Sequence, residues 1–547
     1  MCANRIVRFC SAATLLGLVA VLGSNSATAV QRASPDAQEE MQVLTRGPLH
    51  EAFAETISFD PQPGVIVPTS PPAAIEELPP EHKPQGDNVA WIPGYWAWDD
   101  EVDDFLWVSG VWRALPPGRQ WVPGYWSDSG RGAQWISGYW ADAQLTEVDY
   151  LPEPPESIEA GPNIEAPSAD HTWLPGCWIW QQNRYAWRPG FWTPAHDNWI
   201  WTPAHYQWAP RGYVYVDGYW DYSVQRRGVL FAPVSFHRSV YSQRGFSYTP
   251  STVINLGVFA SHLFVRPNYN HYYYGDYYGA NYAKSGFYSS FSFNSGRRGY
   301  DPIYAHQRWN HRQESDWERR VQQSFQYRRD HDGARPPRTF SAQQELLRSG
   351  RTEQDQGRIF AQPLDEFRTR QDSPLPFQSL NDEDRRGFGR RGQEVRTFRE
   401  QRQKLESQSL EPAAEQPAAA REPARIRFPR SPLVGKSTDA LGKDVAPPKM
   451  HELPQPDPKV VPKPRQGRGR PAVRRNPNVT TPQEKPHGQP DVGPGGKSPG
   501  NSNDKPGRNP QAASAGKPMG ASNEKRGGAK EKPQSESKEK PKEGVWS

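Results

Sequence analysis

Between residues 88 and 222 the chain repeats one short motif: six residues with an aromatic at each end and a Pro-Gly-like step in the middle. Trp91 to Trp96 reads WIPGYW, Trp107 to Trp112 WVSGVW, Trp121 to Trp126 WVPGYW and Trp135 to Trp140 WISGYW. A second group carries WLPGCW at 173–178, WRPGFW at 187–192, WTPAHY at 201–206 and YVDGYW at 215–220. The starts are 16, 14 and 14 residues apart in the first group and 14 throughout the second, which marks an internal repeat. Around each step the sequence alternates. In Tyr95-Trp96-Ala97-Trp98 both Trp face one way while Tyr95 and Ala97 face the other, the period of a β-strand.

The step itself reads as a reversal. Pro presets φ for the second position of a type II turn, and Gly supplies the positive φ of the third. Gly stands there in seven of eight copies, and Ala204 in the other predicts a type I or opened turn. Polar stretches such as Asp99 to Asp104 and Gln181 to Arg184 close the opposite turn. One 14-residue repeat is then two short strands and two turns, and the array an antiparallel β-meander. The rings of a single repeat bury too little to offset the ordering of its backbone, so neighbours must share their apolar faces.

The predicted class is mainly β, followed by a few helices and a long disordered tail. Val229-Leu230-Phe231, Thr252-Val253-Ile254 and His262-Leu263-Phe264-Val265 read as strands extending the second group. The Tyr-rich run 268–282 reads as a loop or ragged edge with exposed rings. Asp316 can cap a helix in which Trp317, Val321 and Phe325 recur every four residues. Further helices are predicted near Ser341 to Arg348 and Asp382 to Leu405, the latter with Val395, Phe398 and Leu405 on an otherwise charged surface.

Composition limits how much of this can fold. Hydrophobic residues are 35% of 547, beside 57 Pro and 46 Gly, and the mean hydropathy is −0.89, so half or less of the chain is expected to pack. Eighteen of the 21 Trp lie between Trp91 and Trp220, so the Trp belongs to the repeat. From Pro429 to Val545 there is no Phe, Trp or Tyr, and 23 bases face 12 acids. That basic tail suits anionic surfaces or acts as a solubiliser. Residues 88–170 instead hold 14 acids and three bases.

The N-terminus reads as a secretory signal: Arg5 and Arg8, a short apolar run from Ala12 to Leu22, then Ala27-Thr28-Ala29 before a mature start at Val30. The run is too short to span a bilayer, no later stretch approaches ~20 apolar residues, and Cys10 lies upstream of any lipid-bearing position. An extracytoplasmic protein (periplasm, cell surface or secreted) without a span in the mature chain is expected. Cys2 and Cys10 leave with the signal, so Cys177 can form neither an internal disulfide nor a thiolate zinc cage and reads as a small core residue. The predicted layout is a signal at 1–29, a Pro-rich lead-in at 30–87 that is mostly linker (with a short helix from Leu49 to Thr56), and the first repeat group at 88–142. An acidic Pro-rich connector at 143–170 precedes the second group with its Tyr-rich β extension at 171–300. Charged helices at 301–410 and the tail at 411–547 complete it.

These hexapeptides, over roughly 88–222 and with the lead-in Pro79 to Asn88, resemble the bacterial WXXGXW (also YXWGXW) tryptophan-repeat family. The resemblance implies an exported or lipid-anchored envelope protein with no agreed activity. This chain departs from the pattern in lacking the anchoring Cys and in carrying eight copies with long extensions, and no catalytic residue carries over.

Candidate chemistry is sparse. Gly387-Phe388-Gly389-Arg390-Arg391-Gly392 matches GxGxxG, but no strand precedes it. Gly467-Arg468-Gly469-Arg470-Pro471 resembles a minor-groove hook, yet it sits in a low-complexity tail, and no nucleic-acid partner is expected. His196 and His205, in duplicated Trp-Thr-Pro-Ala-His segments, and His237 are weak candidates for a zinc or copper site. Asp99, Asp100, Glu101, Asp103 and Asp104 read as a solvated hairpin tip rather than a calcium loop. No nucleophile motif or cofactor site is read, though paired carboxylates for glycoside cleavage stay open. The Trp permit two roles, as core or as flat platforms for sugar rings. The platform candidates are Trp98, Trp112, Trp126, Trp140, Trp180, Trp192, Trp208 and Trp220. The function expected is a non-catalytic scaffold of the cell envelope, with anionic wall polymers, glycans or envelope proteins as partners. The alternative is a carbohydrate- or peptidoglycan-binding module.

Overall fold

A computed structural model of the chain describes residues 41–350, 357–370, 375–408, 423–436, 447–449 and 451–462. The expected signal at 1–29 and most of the tail at 411–547 lie outside the described residues. The architecture is strand-rich and almost wholly antiparallel, as the alternation predicts.

The eight hexapeptides fold in pairs, as four bent hairpins. In the first module Val89–Ile92 pairs with Val111–Ala114 and Tyr95–Asp99 with Asp104–Val108. The second joins Arg119–Val122 to Tyr139–Asp142 and Tyr125–Asp128 to Ala133–Ile136. The third joins His171–Leu174 to Phe191–Pro194 and Cys177–Gln181 to Arg184–Arg188. The fourth joins Trp199–Thr202 to Tyr219–Tyr222 and His205–Ala209 to Gly212–Val216. This register sets the first aromatic of one hexapeptide opposite the last of its partner: Trp91 faces Trp112 and Trp96 faces Trp107, with ring centroids 5.1 and 5.2 Å apart, edge to face. The polar tips do reverse the chain. At the third tip Gln182 and Asn183 take φ of 51° and 57°, the two left-handed residues of a tight hairpin.

The Pro-Gly steps do not reverse it. Each is a kink at which the chain runs on, so the strands on its two sides belong to different sheets. None of the seven repeat glycines takes a left-handed φ. Glycine is needed there for close approach. A Cβ on Gly110 would lie 2.4 Å from the Trp91 ring, on Gly124 2.5 Å from Trp135, and on Gly138 2.7 Å from Trp121. In the third and fourth modules Gly176 meets Trp187, Gly190 meets Trp173 and Gly218 meets Trp201 in the same way. Across the fourth module Tyr206, two residues after Ala204, pairs with Tyr215, which leads the one unit that does not begin with Trp. A Cβ appears where the facing ring is smaller.

Several segments pack where the sequence suggested linker or loop. The lead-in enters the core with Leu49, Ala52 and Phe53, and Glu51 to Phe53 form a turn rather than a helix. Gly228–Leu230 and Val234–Phe236 extend the first module, not the second group. The Tyr-rich run is buried: Tyr272, Tyr273, Tyr274, Tyr277, Tyr278 and Tyr282 pack on the hairpin of Leu263–Arg266 with His271–Tyr274. In the connector, Glu147–Leu151 lies between Gly212–Val216 and Ala424–Arg427, so part of the expected disordered tail is a strand. Leu433 is buried against the second module, and Lys449 O accepts the Trp220 indole N–H at 3.3 Å. One core joins both repeat groups, with Trp121 and Trp140 beside Ile200, Tyr219 and Val224. The helices Trp317–Asp330, Phe340–Arg348 and Asp382–Ser407 form where the sequence predicts them, the last burying Val395 and Phe398, but the Asp316 carboxylate caps no amide of the first and pairs with Arg320 instead.

Candidate functional site

Each kink interrupts the strand ladder and leaves backbone amides pointing inward, and buried amides must find acceptors. Carboxylates from outside the repeat supply them. Glu77, set in place by the short parallel pairing of Glu76–Glu77 with Ser247–Tyr248, accepts the amide of Gly94 at 2.7 Å, that of Gly110 at 2.9 Å and the Trp107 indole N–H at 3.1 Å. Glu51 does the same in the second module, accepting the amides of Gly124 and Gly138 at 2.9 Å each. In the third, Glu159 takes the Gly176 amide and, at 3.2 Å, the Trp173 indole. Burial pushes the Glu77 carboxyl above its ordinary range, against the pull of the Gly110 and Gly94 amides.

The fourth module is held differently. Glu55 accepts from the Trp140 amide and, at 3.0 Å, from the Tyr219 hydroxyl, while its other neighbour is His205 Nε2 at 3.6 Å. Burial pushes Glu55 up to about 8 and His205 down to about 4, so between those values both are neutral. Charged ties link the modules. Arg113 donates to Asp221 at 2.6 and 2.7 Å, joining the first to the fourth. Arg402, on the helix Asp382–Ser407, donates to Pro123 O at 2.9 Å, Ser137 O at 3.0 Å and Glu406 at 2.9 Å; Glu406 also accepts from Tyr125 and Tyr150 at 2.7 Å each. Sequence reasoning missed these acids. Glu51 and Glu55 carry a faint signal, a Glu at either end of the apolar run Ala52-Phe53-Ala54, while Glu77 stands in a pair with Glu76.

The platform candidates divide. Trp98, Trp112, Trp140 and Trp220 are buried, at 3%, 0%, 1% and 5% exposure, and present no face to a sugar. Trp126, Trp180, Trp192 and Trp208 are partly exposed. The histidines do not converge: His205 is buried beside Glu55, His196 packs against Trp220 at 5.2 Å, and His237 caps the short helix Arg238–Tyr241. Among the described residues no group of three metal-ligating side chains forms. The acidic tip is engaged by arginines, Asp100 with Arg266 and Glu101 with Arg46 and Arg338. Cys177 is partly buried, and desolvation pushes its thiol up to about 12. The GxGxxG run lies inside the helix Asp382–Ser407.

A concavity of about 690 Å³ lies between the third module and the helices Pro302–Asn310 and Trp317–Asp330. Trp173, Trp192, Tyr304, Trp309 and Trp317 line it. His311 stacks on Trp317 at 5.1 Å and 9°, and the Arg312 guanidinium lies 4.5 Å over the Trp309 ring. Three charges of its wall are paired: Arg308 with Glu318 at 3.4 Å, Arg312 with the neighbouring Asp170 at 2.9 Å and His311 with Glu314 at 2.7 Å.

A family model described as the WXXGXW repeat (2 copies) matches residues 86–113, 121–141, 169–193 and 197–221, one match to each bent hairpin. No curated protein and no solved structure matches the chain. Residues 86–221 thus carry WXXGXW repeats, and their structural unit is the pair of hexapeptides.

Proposed function

We propose that the chain is a non-catalytic scaffold of the bacterial cell envelope, exported by a signal cleaved near Ala29, whose modules hold a surface for wall polymers, glycans or envelope proteins. The supporting observation is where the aromatics go: the facing Trp of the first, second and fourth modules are spent mostly on the interior, and buried acids and arginines lock the modules to one another. Such a body suits presentation of a fixed outer face. The basic tail adds electrostatic attraction for anionic wall polymers.

A second reading, a carbohydrate-binding module, is favoured by the groove beside the third module, where Trp192 stays partly exposed. Co-sedimentation of the full chain with purified wall material separates the two. Scaffold binding through the tail falls steeply between 50 and 500 mM salt and ignores Trp192→Ala. Module binding resists salt and is lost in Trp192→Ala. Absence of binding at low salt contradicts both.

A further inference from the structure

The groove beside the third module differs from the cavity between the first and second modules in what its rings still offer. In that cavity Tyr95, Trp96, Trp107, Tyr125 and Trp135 are all at most 5% exposed, so they serve the core. In the groove Trp173, Trp192, Trp317 and Phe291 are each partly exposed. Its volume of about 690 Å³ is that of a small-ligand site, roughly 300–1,000 Å³. Ser295, Ser315 and Gln322, all exposed, bring hydroxyl and amide groups to the same walls. Ring faces ringed by a few polar groups suit a body with apolar faces and hydrogen-bonding edges.

Two further observations narrow the occupant. Apart from two histidines, the charged side chains of the groove balance: Arg297, Arg308 and Arg312 against Glu159, Glu314 and Glu318. A polymer with a carboxylate on every unit would meet like charges as often as opposite ones and gain nothing by entering. The second observation concerns the indoles. Trp173 donates its N–H to Glu159 at 3.2 Å and Trp192 its N–H to Ile164 O at 2.9 Å. A Pro-rich peptide, whose backbone carbonyls require donors, finds none on these two rings. What they keep is their faces, on which the C–H face of a sugar ring can stack. We propose that this groove binds an uncharged glycan, with sugar rings against Trp173 and Trp192 and hydroxyls directed to Ser295, Ser315 and Gln322. This rests on the carbohydrate-binding reading and specifies its substrate class; anionic polymers are left to the basic tail.

The test is calorimetric titration of the full chain with four probes: cellotetraose, N-acetylchitotetraose, anionic tetragalacturonate and a synthetic Pro-rich peptide copying residues 451–465. At least one neutral tetrasaccharide should bind with a Kd tenfold or more below that of tetragalacturonate, and equally well at 50 and 500 mM salt. Which of the two does so tells whether an N-acetyl group is read. Trp192→Ala should weaken that binding by about tenfold or more. Gln322→Ala, at an exposed position, should weaken it by about threefold to tenfold and decides the matter if the Trp variant does not fold. Tighter, Trp192-dependent binding of tetragalacturonate would overturn the uncharged-glycan assignment and leave the carbohydrate-binding reading standing. Tightest binding of the peptide, no binding of any tetrasaccharide at 10 mM, or neutral-glycan binding that survives both Trp192→Ala and Gln322→Ala would overturn the two together.

Discussion

Trp91 and Gly110 meet across the first module so closely that a Cβ on the glycine would lie 2.4 Å from the indole. The same meeting of a kink glycine with the leading Trp of the facing hexapeptide recurs in all four modules. It explains both ends of the motif together. The Trp stays because its ring covers the facing kink, and the Gly stays because nothing larger fits beneath that ring.

Gly124→Ala should therefore destabilise the protein by about 1–3 kcal/mol through overpacking, measured by urea denaturation. Ala204→Gly, in the module where the facing unit begins with Tyr215, should change it by less than about 1 kcal/mol. The double variant Gly124→Ala with Trp135→Tyr copies the Ala204/Tyr215 arrangement. It should recover part of what the two single changes lose when added, whereas strict additivity would deny the steric link.

Glu55 binds its proton more tightly folded, at about 8, than unfolded. Its contribution is present at acid pH and lost as pH rises through 8. His205, held near 4, works in the other direction, adding stability as pH rises from 4 towards the ordinary imidazole range. The penalty for Glu55→Gln should thus be larger at pH 5 than at pH 8.5 when denaturation midpoints are compared. A penalty that grows with pH would show that Glu55 is ionised in the fold.

Arg402→Ala removes the cationic partner of Glu406 and the donor to two kink carbonyls, Pro123 O and Ser137 O. A loss of about 3–5 kcal/mol is expected for breaking such a buried pair from one side. Arg425→Ala removes an exposed partner of Asp149 and should leave the midpoint unchanged. Similar effects for both would mean that the long helix is not seated on the modules.

What could be read from the sequence was local. Alternation located the strands, polar runs such as Gln181 to Arg184 located the hairpin tips, and four-residue spacing located the helix at Trp317. The kinks were misread because Pro-Gly fits a type II turn equally well, and only the register across the hairpin reveals the facing indole. The acids were missed because their partners are distant, 17 residues from Glu77 to Gly94 and 87 from Glu51 to Gly138. Tail segments were misjudged because they dock with few rings: Ala424–Arg427 by strand pairing, and His451 by resting 4.7 Å from the Trp201 ring.

Amide exchange at Gly124 and Gly138 tests the paired, acid-locked module most directly. Hydrogen–deuterium exchange followed by mass spectrometry on peptides covering Trp121 to Trp126 and Trp135 to Trp140 would compare wild type with Glu51→Ala. Both glycine amides should exchange slowly in the wild type and together become fast in the variant, while Gly94 and Gly110, held by Glu77, stay protected. Fast exchange at either glycine in the wild type, or protection that survives the loss of Glu51, would contradict the account.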